Sequence, residues 1–114
     1  MADNIFAKII TKEIPAKIVY EDERVLAFRD IGPKAPVHVL IVPKKEIARV
    51  SEATAADEAL LGHLLTVAAE VARREGVDDT GYRLVINKGP HAGESVPHLH
   101  MHLLGGRPMA WPPG

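Results

Sequence analysis

Apolar residues along the chain follow two repeats, and each repeat predicts an element. A period near 3.6 runs from Thr54 to Glu75, where Leu60, Leu61, Leu64, Leu65, Ala68, Val71 and Ala72 form one broad face of a long helix. Thr54-Ala55-Ala56-Asp57 resembles a capped start, and Gly76 stands where a left-handed terminating residue is wanted. A shorter helix is expected over residues 3–12. Asp3 or Asn4 caps it, Ile5, Phe6, Ile9 and Ile10 make its stripe, and Ile14-Pro15 stops it. Residues 17–21 and 25–29 read as a hairpin around Glu21-Asp22-Glu23, after which residues 30–33 break the chain. Residues 37–42 are apolar except for His38 and are expected to be buried on both faces. Residues 44–53 read as a connector and 81–87 as a fourth strand.

The fifth strand is the unusual one. His98, His100 and His102 alternate with Leu99, Met101 and Leu103, the period-two pattern of a strand with one buried face. The imidazoles then share one side at a spacing of about 6.5–7 Å. A glycine-containing loop over residues 88–97 precedes them, and Gly105-Gly106 begins a tail that ends in Trp111-Pro112-Pro113-Gly114. The pattern predicts one α+β domain over residues 1–114, with an antiparallel five-stranded sheet, one long helix and a short N-terminal helix.

Composition narrows the function without naming it. At 114 residues and 46% hydrophobic, the chain suffices for one cored domain. A net charge of -1 offers no electrostatic footprint for nucleic acid or a membrane surface. Thiol catalysis and disulfides are excluded, because the sequence holds no cysteine. The start Met1-Ala2-Asp3-Asn4 is acidic and the apolar stretch after it is short, so no signal peptide is expected. The reading is a cytoplasmic protein.

Three chemistries compete for the histidines. Packing alone is a poor account, since every buried imidazole needs partners for two ring nitrogens. A metal site is open on spacing: two histidines of one strand with His38 as third ligand, and Asp30 or Glu94 as supporting carboxylates. Metal-free phosphoryl chemistry is the third. A neutral imidazole attacks phosphorus, and neighbouring imidazoles, some of them protonated, donate to phosphate oxygens and the leaving group. Gly89, Gly93 and Ser95 suit the approach of an anion to the loop, which favours a phosphate ester, anhydride or amidate as substrate.

The motif His-x-His-x-His resembles that of the histidine triad family of nucleotide hydrolases and transferases. The likeness runs over nearly the whole chain. It includes Ile5-Phe6-Ala7-Lys8-Ile9-Ile10 and Glu13-Ile14-Pro15-Ala16-Lys17, Ala27-Phe28-Arg29-Asp30-Ile31 (which resembles a ribose-binding segment), His38 through Lys45, Gly81 through Asn87 and Gly93-Glu94-Ser95-Val96. Asn87 and the Trp-Pro-Pro-Gly tail are similar to the Hint branch, the purine nucleoside phosphoramidases. Pro97, where relatives often carry an aromatic, and Lys88-Gly89-Pro90-His91 depart from that pattern.

That resemblance implies roles, residue by residue. His100 would be the nucleophile, its other nitrogen donating to a main-chain carbonyl. His102 would bind phosphate or the leaving group, with His98 and His38 as an imidazole network behind it. Ser95 and Asn87 would bind phosphate oxygens or the amine, and Gly93 and Val96 would give main-chain contacts. Asp30 would accept from the ribose, while Ile5, Phe6, Ile9, Ile14, Phe28, Ile31 and Leu40 sandwich the base. Trp111 would reach toward the site of a homodimer partner, the two sheets joining across a two-fold axis. His63 and His91 are assigned to solvent. The implied activity is hydrolysis of purine nucleoside phosphoramidates (AMP- or GMP-type) with no cofactor and no metal. A dinucleoside polyphosphate hydrolase and a non-catalytic nucleotide sensor are the alternatives.

Overall fold

In the computed structural model, which describes residues 3–114, the apolar runs meet in one antiparallel sheet. Met1 and Ala2, the beginning of the acidic start, lie outside the described residues. The strands are β1 (Ile18–Glu21), β2 (Val25–Arg29), β3 (Val37–Pro43), β4 (Tyr82–Val85) and β5 (Met101–Gly105). Their order across the sheet is β1-β2-β3-β5-β4. The continuous apolar run of β3 therefore takes the centre, where Val39 to Val42 are buried on both faces, as its composition demands.

Two helices cover the two faces. The long helix α2 (Glu58–Arg74) lies on one, where Leu64, Val67, Ala68 and Val71 pack on Val39, Ile41, Leu99, Met101 and Leu103. The short helix α1 (Ile5–Ile10) lies on the other, where Phe6 and Ile9 join Leu26, Phe28, Leu40 and Val42. Asn4 caps α1 by accepting from the Ala7 N–H at 2.8 Å. The predicted Thr54 start is a single 3-10 turn, Ala55–Asp57, and the α-helix follows it; the Asp57 carboxylate takes the Thr54 N–H at 2.9 Å. Gly76 ends the helix at φ +74.

The histidine strand is shorter than its alternation predicts. β5 begins at Met101, so His98 and His100 precede it. The pairing Ile41↔Met101 continued by two residues would set Pro43 opposite Leu99. Pro43 has no N–H to offer, and the Leu99 N–H donates instead to the Ile47 carbonyl at 2.7 Å. The side-chain alternation survives: Leu99, Met101 and Leu103 all enter the core under α2. β5 closes on Gly105, where an added Cβ would sit 2.9 Å from that of Val77.

Candidate active site

Cross-strand pairing sets the imidazoles. Leu40 stands opposite His102 and His38 opposite Leu104, so His38 and His102 are diagonal neighbours on the face that carries α1. His38 Nε2 lies 2.9 Å from His102 Nδ1. The backbone N–H of Lys34 donates to His38 Nδ1 at 3.0 Å, which makes Nδ1 an acceptor and puts the hydrogen of the neutral ring on Nε2. His38 therefore donates to His102 Nδ1, and the His102 hydrogen sits on Nε2. Asp30 Oδ2 is 3.5 Å from His38 Nε2, and Asp30 Oδ1 accepts from the Gly32 N–H at 2.8 Å.

His100 is fixed in the complementary sense. Its Nδ1 is 2.7 Å from the His98 carbonyl, which can only accept, so Nδ1 carries a hydrogen and the lone pair of the neutral ring is on Nε2. The Phe6 ring packs edge-on against it at 4.8 Å between centroids, and His102 lies 5.1 Å away on the same measure. Burial, then the His100 and His38 rings, pushes His102 down to about 4 against the opposing pull of Asp30. Burial also lowers His38, again against Asp30. Both shifts favour neutral rings that still donate through Nε2, where the sequence left room for some of the imidazoles to be protonated.

His98 departs from its expected role. It is buried at 1% exposure, and its Nε2 donates to the Pro43 carbonyl at 2.9 Å. The imidazole chain runs from His38 to His102 and does not pass through His98, whose side chain lies before β5 and reaches back to the end of β3. Its contribution to His100 is the main-chain carbonyl.

One cleft of about 140 Å³ collects the expected base pocket. Ile5, Phe6, Ile9, Ile14, Phe28, Ile31, Leu40 and Asp30 all line it, together with Pro15, Ala16 and Arg29, which stood in matching segments of the sequence without being assigned to the pocket. Pro15 had signalled a helix stop and a likeness to the family's opening segment, but no place in the pocket. Ile31 is 95% exposed at the rim. Phe6 joins this cleft to His100, since its ring belongs to both.

The loop side is more open. Gly93 is left-handed at φ +78, Ser95 is exposed, and Val96 packs against the Phe6 and Leu40 cluster. Asn87 is half-buried just beyond β4. Trp111 is 82% exposed with the Arg83 guanidinium 5.9 Å over its ring, on the outer strand β4. His91 is exposed as expected, but His63 is not simply solvated: its Nε2 meets the Asp22 carboxylate, tying α2 to the β1–β2 turn. Asp22, despite burial that would raise it, is held well below the carboxylate range by His63, Tyr20 and the Arg24 and Val25 N–H groups. Periodicity carried no sign of that pair, nor of the Lys34 N–H and Pro43 carbonyl that fix His38 and His98.

Fold and site define an α+β protein that presents an ordered imidazole cluster beside an apolar cleft. The chain belongs to the HIT family: the HIT domain model matches residues 11–109. It is 61% identical to an uncharacterized HIT-like protein of Synechococcus elongatus, over 98% of this chain and 97% of the relative. It is 58% identical to a 14 kDa zinc-binding protein of Zea mays, over 96% and 87% respectively. A solved HIT family hydrolase from Legionella pneumophila superposes with a TM-score of 0.96 at 50% identity, over 98% of this chain and 100% of that one.

Proposed function

We propose that the protein is a nucleoside phosphoramidase that works through a nucleotidyl-histidine at His100. The observation that carries this reading is the 2.7 Å contact from His100 Nδ1 to the His98 carbonyl, which leaves Nε2 as a free lone pair. The base lies in the cleft beside Phe6 and Leu40, and Asp30 accepts from the ribose. His100 Nε2 attacks the α-phosphorus as the P–N bond breaks. The amine, its nitrogen already protonated from solvent, leaves neutral. His102 Nε2–H donates to a phosphoryl oxygen in both steps, and Ser95 and Asn87 hold the other oxygens or the amine. Water then attacks phosphorus, His100 departs as a neutral imidazole, and the water proton passes to solvent with release of the nucleoside monophosphate. Pairing of two copies along β4, with Trp111 of each approaching the other's site, belongs to the same reading.

A metal reading has two supports: the Zea mays relative is named a zinc-binding protein, and the described residues hold one candidate cluster. Ligand atoms of Asp30, His38 and His102 lie within 4.8 Å of one another. The His38–His102 nitrogens, however, are at hydrogen-bond distance, 2.9 Å, whereas tetrahedral zinc with bonds of about 2.0 Å separates its ligands by roughly 3.3 Å. The ordered hydrogen bonds from Lys34 through His38 fit the donor set better than zinc does.

The deciding experiment is turnover of adenosine 5′-phosphoramidate by chelator-treated protein, wild type beside His100→Ala. AMP release by the wild type alone, with label from the nucleotide trapped covalently on it, is the expected result. Binding of AMP without turnover by either protein overturns the reading in favour of a nucleotide sensor. Faster cleavage of a diadenosine polyphosphate than of the amidate overturns it in favour of a polyphosphate hydrolase.

A further inference from the structure

The segment Ser95–His98 is held at both ends by one connector, residues 44–53. At its far end, the Leu99 N–H donates to the Ile47 carbonyl at 2.7 Å. At its near end, Arg49 Nε donates to Glu94 Oε1 at 2.9 Å. Ile47 and Arg49 are two residues apart, and the span they bracket carries Ser95 and the His98 carbonyl that orients His100.

Glu94 also closes the glycine loop on itself. Its Oε1 accepts from the Gly89 N–H at 3.0 Å, while its own N–H donates to the Gly89 carbonyl at 3.2 Å. Gly89 and Gly93 both take positive φ around the 3-10 turn Pro90–Ala92, and the Glu94 bonds close the loop across that turn. The Glu94 side chain is 12% exposed and that of Arg49 36%, so the pair is more than a surface contact. Hydrogen bonding from Gly89, against burial and with help from Arg49, holds the Glu94 carboxyl below its ordinary range.

We propose that Arg49 and Glu94 form a latch that fixes the phosphate-facing segment over the triad, making both of them positioning residues for phosphate recognition. The proposal rests on the nucleotide reading of the site. Neither residue touches the reacting atoms. The latch acts through the placement of Ser95 and the neighbouring main chain, so it matters for the phosphate and not for the base.

Calorimetric binding of AMP and of adenosine separates these parts. Arg49→Met keeps the stem and removes the bond to Glu94, together with the exposed one to Glu52 at 3.2 Å; Arg49→Lys restores a cation there. We expect Arg49→Met to weaken AMP by about tenfold and to leave adenosine within about twofold, with Arg49→Lys recovering most of the loss. The kcat for adenosine 5′-phosphoramidate falls by about tenfold alongside. Glu94→Gln keeps the oxygen that accepts from both Gly89 and Arg49 and removes only the charge, so its loss is selective for AMP in the same way but smaller than that of Arg49→Met. Equal weakening of AMP and adenosine, or no change in either, overturns the latch. If the wild type binds AMP but cleaves no amidate, the phosphoramidase reading fails, and the AMP-to-adenosine comparison still decides the latch.

Discussion

His38 donates through Nε2 to His102 Nδ1 across 2.9 Å, and this one bond leaves His102 with its hydrogen aimed away from His38. The Lys34 N–H behind His38 makes the arrangement one-way. A second proton on His102 would have to enter at Nδ1, against the hydrogen already coming from His38. That conflict adds to burial in keeping the pair neutral.

The first prediction is therefore spectroscopic. Nitrogen-detected NMR will show His102 as the Nε2–H tautomer from pH 8 to pH 5, with protonation only as pH nears about 4. In His38→Ala the donor is gone and the tautomers mix. Stability follows the same group. The folded value lies below the unfolded 6.5, so the unfolded chain binds the proton first. The contribution from His102 is whole above pH 6.5 and is lost as pH falls toward about 4. Denaturation midpoints at pH 7 and pH 5 check the sign; a higher midpoint at pH 5 for wild type than for His102→Asn, with the reverse at pH 7, would contradict it.

Much of this architecture is written in the sequence because it rests on periodicity. The run of β3 between Pro36 and Pro43 fixed a central strand, and the alternation around Met101 fixed which side chains enter the core. The apolar cleft residues named beforehand were reachable only through family likeness, since by composition they are ordinary core residues. Hydrogen-bond partners were not reachable. Lys34 contributes a backbone N–H, Pro43 and His98 contribute carbonyls, and the main chain of one residue type looks like that of another in sequence. His98 was misplaced for this reason: alternation gives the face of a side chain, but not whether the ring meets another ring or a carbonyl. The latch pair is illegible for a different reason, because Arg49 and Glu94 are 45 residues apart in two irregular segments.

His98 yields the second prediction. Its side chain satisfies the Pro43 carbonyl inside the core, whereas its service to His100 comes from its own main chain. His98→Ala retains that service. It leaves a buried carbonyl unpaired and a cavity, at a cost of about 2 kcal/mol. Thermal unfolding should drop by roughly 8 °C, while kcat of the folded protein at low temperature stays within about threefold of wild type. A large fall in kcat with unchanged Tm would instead place the His98 ring in the chemistry.

Phe6 couples base recognition to the nucleophile, and the third prediction tests that coupling. The ring is 7% exposed, meets Phe28 edge-on at 5.7 Å and His100 at 4.8 Å, and lines the cleft. Phe6→Ala would lose about 3–5 kcal/mol to the cavity alone, too much to isolate a local effect. Phe6→Leu keeps most of the volume and should cost less than about 1.5 kcal/mol. It removes a flat surface for a base and the edge that confines the His100 ring. Adenosine and AMP should then weaken together, by about fivefold, since the lost contact is worth about 1 kcal/mol and lies on the base side. That is the opposite signature from Arg49→Met, where only the phosphate-bearing ligand suffers. Should Phe6→Leu weaken AMP and spare adenosine, the base would have to lie outside the cleft that Phe6 lines, and its contact with His100 would be the part that matters.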